Sequence, residues 1–171
     1  MVSDYKEILS DSAKGMKRSA IRELLKLTQK PEIISFAGGL PAKESFPLEQ
    51  LQEICAEVIA TDGAAACQYG STEGVPELLE ILAQRYRDQG LSYVTKENIT
   101  IITSSQQGLD TVGKIFLNRG DKYICELPSY LGALGAFNSY GGVGVGIPQD
   151  EQGMSAVELE KTLAEMKAKG E

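Results

Sequence analysis

Between Asn98 and Asp110 the chain reads NITIITSSQQGLD, with hydroxyl and amide side chains gathered at Thr103, Ser104, Ser105 and Gln106. Ahead of them Ile99, Ile101 and Ile102 make a short β-branched run bounded by polar residues, the pattern of a buried strand too brief to be a helix. Behind them Leu109, Val112, Gly113 and Phe116 recur at i, i+3, i+4 and i+7, as on the inward stripe of a helix. A strand that ends in a hydroxyl-rich turn and opens directly into a helix gathers unpaired N–H groups and the positive end of the helix dipole at one place. The hydroxyls of Ser104 and Ser105 add donors, and the combination suits a phosphate group. Equally open is that Thr103 or Ser104 does no more than cap the helix.

Two other loops carry a polar aromatic. Cys67 to Pro76, CQYGSTEGVP, is punctuated by glycine around Tyr69, which either packs down on the core or turns its hydroxyl to a ligand. Pro128, Ser129 and Tyr130 follow KYICEL, which reads as a strand, so a second such loop stands at a strand's carboxyl end. At Ala37 to Pro41, AGGLP, two adjacent glycines make either a simple tight turn or a bend where backbone closely approaches a ligand. The chain holds no histidine, which removes Ser-His and Cys-His nucleophilic schemes. Cys55, Cys67 and Cys125 are odd in number and lack CxxC spacing, so neither a disulfide framework nor a metal site is expected. Cys55 and Cys125 read as small buried hydrophobes.

The elements that would position these residues follow from periodicity. Arg18 to Gln29 carries Ile21, Leu24, Leu25 and Thr28 on one stripe and stops at Pro31, an amphipathic helix. IISF, residues 33–36, reads as a strand. Pro47 starts a helix with Leu48, Leu51, Ile54, Cys55, Val58 and Ile59 inward, ended by Asp62 and Gly63. Pro76 starts another with Leu78, Leu79, Leu82 and Tyr86, stopped by Gln89 and Gly90. After KYICEL a short helix over Leu131 to Tyr140 is weakened by Gly132 and Gly135, and VGVGI forms a further strand. Ser155 and Glu158 have capping-box spacing for a last helix with Met154, Val157, Leu163 and Met166 inward. Strand, helix, strand, helix, strand implies a parallel sheet covered by helices. Ligands of such sheets lie beyond the strands' carboxyl ends, where Ser104 to Gln106 and Ser129 to Tyr130 both fall. Neither GxxxxGK[ST] nor GxGxxG occurs.

At 171 residues, 42% hydrophobic and 24% charged, the chain has the makings of one globular domain with a proper core. Its net charge of −7 argues against a nucleic-acid partner. No apolar run reaches the roughly 18 residues of a membrane span, and the N-terminus lacks the core of a signal peptide, so no membrane partner and a cytoplasmic location are expected.

Four stretches together resemble one family: SFAGGLP at Ser35 to Pro41, QYGSTEGVPELLE at Gln68 to Glu80, TSSQQGLD at Thr103 to Asp110 and ELPSYLGAL at Glu126 to Leu134. In order and spacing they are similar to the pyridoxal-phosphate-dependent aminotransferases of fold type I, class I/II, in the branch of 2-aminoadipate and kynurenine aminotransferase-like enzymes. The resemblance implies an α/β three-layer sandwich with a mostly parallel sheet, part of the large domain of a fold type I enzyme. It divides the chain into an N-terminal arm and helix of the small-domain or interface region, 1–45, and the start of the cofactor-binding large domain, 46–171. It implies pyridoxal 5'-phosphate as cofactor, amino acid and 2-oxo acid substrates, and a homodimer.

Through that resemblance Ser105 and Gln106 match the family's phosphate cup, with Ser104 in place of the glycine of the common TSGSQQ. Tyr130 matches the aromatic that stacks on the pyridine ring, and Tyr69 the tyrosine that reaches the phosphate of the neighbouring subunit. Gly39 and Leu40 match backbone lining the substrate pocket, and Arg22 a substrate-touching residue of a mobile N-terminal helix. Members run to about twice this size, beyond an ordinary single domain. The Schiff-base lysine and the residues holding the pyridine ring find no match, and Lys114 and Lys122 lie in no corresponding motif. The expectation is therefore the N-terminal portion of an aminotransferase, inactive alone. The alternatives are a non-catalytic aminotransferase-like binding or regulatory module, or half of a split enzyme.

Overall fold

The computed structural model describes residues 5–15, 33–34 and 39–170. The regular helices and strands among them are α1 (Asp11–Gly15), α2 (Leu48–Ala66), α3 (Pro76–Asp88), α4 (Ser105–Phe116), β1 (Lys122–Leu127), α5 (Leu131–Ser139), β2 (Val143–Asp150), β3 (Gly153–Met154) and α6 (Ala156–Ala168). They fall into two compact units, one holding the residues up to Arg18 together with Ile102 onward, the other holding Ser19–Ile101.

In the first unit β1, α5 and β2 form the expected βαβ crossover. The strands pair in parallel from Lys122 opposite Val143 to Leu127 opposite Pro148. After β2 the chain doubles back and β3 adds two antiparallel pairs, Gln149 with Met154 and Asp150 with Gly153, so the sheet is mixed. The small residues of VGVGI allow the neighbouring strand to cover it: a Cβ on Gly144 would come within 3.0 Å of the Tyr123 hydroxyl. Ile147, 0% exposed, is the centre of this unit's core, with Ala136 of α5 also buried. The Tyr123 ring meets Phe137 edge-on at 5.0 Å, and its hydroxyl donates to Asn138 Oδ1 at 2.9 Å, fastening β1 to α5. Helix α4 packs on α5 at Gly113, where a Cβ would lie 3.0 Å from Tyr140 Cδ2 and 3.2 Å from Phe137 Cδ1. Helix α6 starts as its spacing predicts: the Ser155 hydroxyl accepts from the Glu158 N–H.

In the second unit α3 buries Leu79 and Ala83, and Val94 is buried in the loop that follows. Arg87 ties that loop down, donating to the Val94 carbonyl at 3.0 Å while pairing with Glu80 at 2.7 Å. Gly90, at φ 95°, ends the helix region as the Gln89-Gly90 signal predicts.

Several expectations are corrected. Ile99 to Ile102 is not a strand: Ile99 is extended at φ −121° and ψ 136°, and the Ile101 N–H donates to the Glu73 carbonyl in a loop. A β-branched run becomes a strand only beside another strand, and β1 pairs with β2 instead. Ile101 and Ile102 are accordingly 37% and 40% exposed. Helix α2 has the predicted apolar face, yet Leu48, Leu51, Ile54, Val58 and Ile59 are exposed, and so are Cys55 and Cys67, because no described residue covers them. It also passes beyond its predicted end: Asp62 breaks helical geometry at φ −140° and a last turn continues to Ala66. In α6, Val157 and Leu163 face outward while Met166, and Met154 in β3, are half-buried. Ile33 and Ile34 have no regular structure, and the helix expected over Arg18 to Gln29 lies outside the described residues.

The contact at Gly113 yields a test of this packing. Gly113→Val should overfill the space against Phe137 and Tyr140 and lower stability by about 1–3 kcal/mol, seen as a reduced urea midpoint.

Candidate functional site

Helix α4 begins at Ser105, with Ser104 in extended geometry just outside it. The Ser104 side chain makes no cap hydrogen bond; its carbonyl accepts from the Gln107 N–H at 3.0 Å. The amide of Gln107 instead reaches back and accepts from the Thr103 N–H at 2.6 Å, stiffening the turn from within. Ser104, Ser105 and Gln106 are exposed, so the turn's hydroxyls face solvent at the helix's positive end.

Strand β1 leads through a cis Leu127–Pro128 bond to Ser129 and Tyr130, and Tyr130 stands at the amino end of α5, accepting there from the Ala133 and Leu134 N–H groups. Gln149 anchors this loop by donating to the Pro128 carbonyl at 2.9 Å. The two helix starts meet. Gln106 Nε2 donates to the Gly132 carbonyl at 3.3 Å. A Cβ on Gly132 would fall 2.5 Å from Tyr130 Cε1 and 2.7 Å from Gln106 Oε1. Gln106 and the Tyr130 ring thus close over Gly132, and a side chain there would have to displace them. Neither helix has an acidic residue in its first turn. Gly132 counts in the sequence only as a weak point of a helix; its spacing, two residues beyond an aromatic at a strand's end, was the available signal for a close approach.

Beneath the site α4 and α5 are joined again. The Tyr140 hydroxyl donates to Asp110 Oδ1 at 3.1 Å. Loss of water around the ring, with the hydrogen bond and charge of Asp110, holds the phenol above its ordinary range.

Of the other predicted residues, Tyr69, Gly39 and Leu40 belong to the second unit. Tyr69 is 99% exposed in the loop of the other unit, its N–H satisfied by Gln68 Oε1. Gly39 is left-handed at φ 57°, Leu40 is exposed, and Arg22 lies outside the described residues. Lys114 occupies the last turn of α4 and Lys122 the start of β1. Among the described residues no cluster of metal-ligating side chains occurs, and no helix is long and apolar enough to cross a membrane.

Residues 31–171 match the family model of aminotransferase class I and II. The chain is 44% identical over 167 residues to aromatic-amino-acid aminotransferase 1 of Thermococcus litoralis, covering 98% of this chain and 40% of that protein. The crystal structure of Pyrococcus horikoshii kynurenine aminotransferase, in complex with PMP, KYN as substrates and KYA as products, matches with a TM-score of 0.85 and 41% identity. That match covers 100% of this chain and 42% of the other. LysN, the alpha-aminoadipate aminotransferase of Thermus thermophilus complexed with N-(5'-phosphopyridoxyl)-L-leucine, matches with a TM-score of 0.81 and 39% identity, over 94% of this chain and 39% of that one. The chain belongs to the aminotransferase class I and II family. Its α/β fold is part of the large domain of a fold type I enzyme, and it spans about two fifths of the length of the relatives it matches.

The Tyr140–Asp110 pair makes a pH prediction with a definite sign. A phenol held above its ordinary value favours the fold while protonated. That contribution is complete below the usual tyrosine value of about 10 and is lost as pH climbs through the higher folded value. In an alkaline absorbance titration Tyr140→Phe should delete a late-ionising step, and Asp110→Asn should move that step to lower pH.

Proposed function

We propose that this chain supplies one side of a pyridoxal 5'-phosphate site in an aminotransferase, which moves an amino group from an amino acid to a 2-oxo acid. The observation that carries the reading is the meeting of two acid-free helix amino ends over Gly132, with exposed hydroxyls on one and an exposed aromatic ring on the other. This donor set fits the cofactor: a phosphate takes N–H and O–H donors, and a pyridine ring takes a flat partner. The Pyrococcus and Thermus enzymes, complexed with PMP and a phosphopyridoxyl adduct, support the same assignment.

In this reading Ser104, Ser105 and the first N–H groups of α4 hold the phosphate, Gln106 fixes the turn against Gly132, and Tyr130 stacks on the ring. The bound cofactor supplies an electron sink for carbanion chemistry at the amino-acid carbon. Tyr69 serves the phosphate of the neighbouring subunit in a cytoplasmic homodimer, and Gly39, Leu40 and Arg22 line the substrate. Residues 1–45 form the arm and interface region and 46–171 the start of the large domain. Neither Lys114 nor Lys122 is placed to bond the cofactor covalently, so the chain alone binds it reversibly and does not turn over.

Titrating the chain with pyridoxal phosphate, followed by absorbance and dialysis, tests this. Saturable binding that washes out is expected, with inorganic phosphate competing. Ser105→Ala should weaken it about tenfold, the loss of one hydrogen bond to a charged group. Gly132→Val should weaken it at least as much by displacing Tyr130. Unchanged affinity in both variants would overturn the assignment.

A further inference from the structure

The carboxyl end of α5 is held by the N-terminal arm. Helix α1 packs on α5, and the Ser12 hydroxyl donates to the Ser139 carbonyl at 2.6 Å across 127 residues of sequence. Ser139 is the last residue of α5, so its carbonyl is one that the helix cannot satisfy itself. Both serines are half-buried. Beside them Asp11 pairs with Arg119 at 3.4 Å. Arg119 is itself pressed on the turn leaving α5, where a Cβ on Gly141 would lie 3.1 Å from Arg119 Cα, and the Gly120 N–H donates to the Gly141 carbonyl at 2.8 Å. The arm therefore joins the end of α5 to the loop that precedes β1. A helix of five residues is far too short to persist in water by itself. Ser10 caps α1 by accepting from the Ala13 N–H, but its order comes from what it touches.

The other end of α5 carries Tyr130 and Gly132. The helix is only nine residues long and contains two glycines, each costing about 1 kcal/mol relative to alanine, so its position depends on its neighbours. At 1.5 Å per residue it is about 13 Å long, and a shift at one end is carried to the other.

We infer that α1 is a clamp: Ser12, with Asp11, sets the position of α5 and hence of the Tyr130 ring, so that docking of the arm and occupancy of the site at the far end of α5 are coupled. Ser12 is a positioning residue, since it touches neither the ring nor the turn of α4. The coupling rests on the cofactor reading above, and it is reciprocal: a ligand that fixes Tyr130 tightens the arm.

Pyridoxal phosphate affinity and hydrogen exchange across residues 5–15 and 131–139, measured on the same variants of the whole chain, test the clamp. Ser12→Ala should raise exchange in both segments and weaken pyridoxal phosphate about three- to tenfold, the range of one hydrogen bond. Ser12→Thr, which keeps the hydroxyl, should restore both. Pyridoxal phosphate at a concentration near the parent's dissociation constant should slow exchange of residues 5–15 in the parent chain and slow it much less in Ser105→Ala, whose site is weakened about tenfold while the clamp is intact. If Ser12→Ala loosens the arm but binds like the parent, or if bound pyridoxal phosphate leaves the arm's exchange unaltered, the coupling is overturned. A parent chain that fails to bind at all refutes the cofactor reading and the coupling with it, and the exchange of residues 131–139 in Ser12→Ala still reports whether the arm holds α5.

Discussion

The hydrogen bond from the Gln106 amide to the Gly132 carbonyl is weak by itself, yet the geometry around it constrains most of the second half of the chain. For it to form, α4 and α5 must present their amino ends to one another. That in turn requires β1 to deliver the chain to Tyr130 and β2 to receive it from α5 in parallel. The close packing at Gly113 and the Tyr140 to Asp110 bond serve the same end from below, setting the separation of the two helices. Two glycines, one at each level, leave room for side chains of the facing segment that a Cβ would crowd. The amino ends of α4 and α5 are thus brought together.

How much of this was legible in the residues depended on whether the signal was local. Pro76 and Gln89-Gly90 bracket α3, and the Ser155 to Glu158 spacing starts α6, because caps and breakers act within one turn. The crossover β1–α5–β2 was readable from the order of its patterns. The turn at Ser104 to Gln106 was readable as the start of a helix, but its stiffening by the Gln107 amide was not, since that bond depends on a rotamer. Gly132 could be seen only as a flaw in a helix, because its use depends on Tyr130 and Gln106 arriving from two directions.

The misreadings share one cause. Periodicity says which face of a segment is apolar, and not what lies against it. Helix α2 has its stripe, and Ile99 to Ile102 its β-branched run, but the stripe and Ile101 and Ile102 of the run remain open to solvent. Among the described residues nothing covers the α2 stripe, and the chain spans about two fifths of the relatives it matches. The same reasoning explains why Cys55, at an inward position of the pattern, is exposed.

That exposure has a practical use. Cys55 and Cys67 stand on opposite sides of the break at Asp62, both open to solvent, while Cys125 is half-buried within β1. On a straight helix twelve residues would separate their backbones by about 18 Å. A pair of spin labels attached to these two thiols would therefore act as a ruler across the bend, reporting directly on how sharply the rod is hinged.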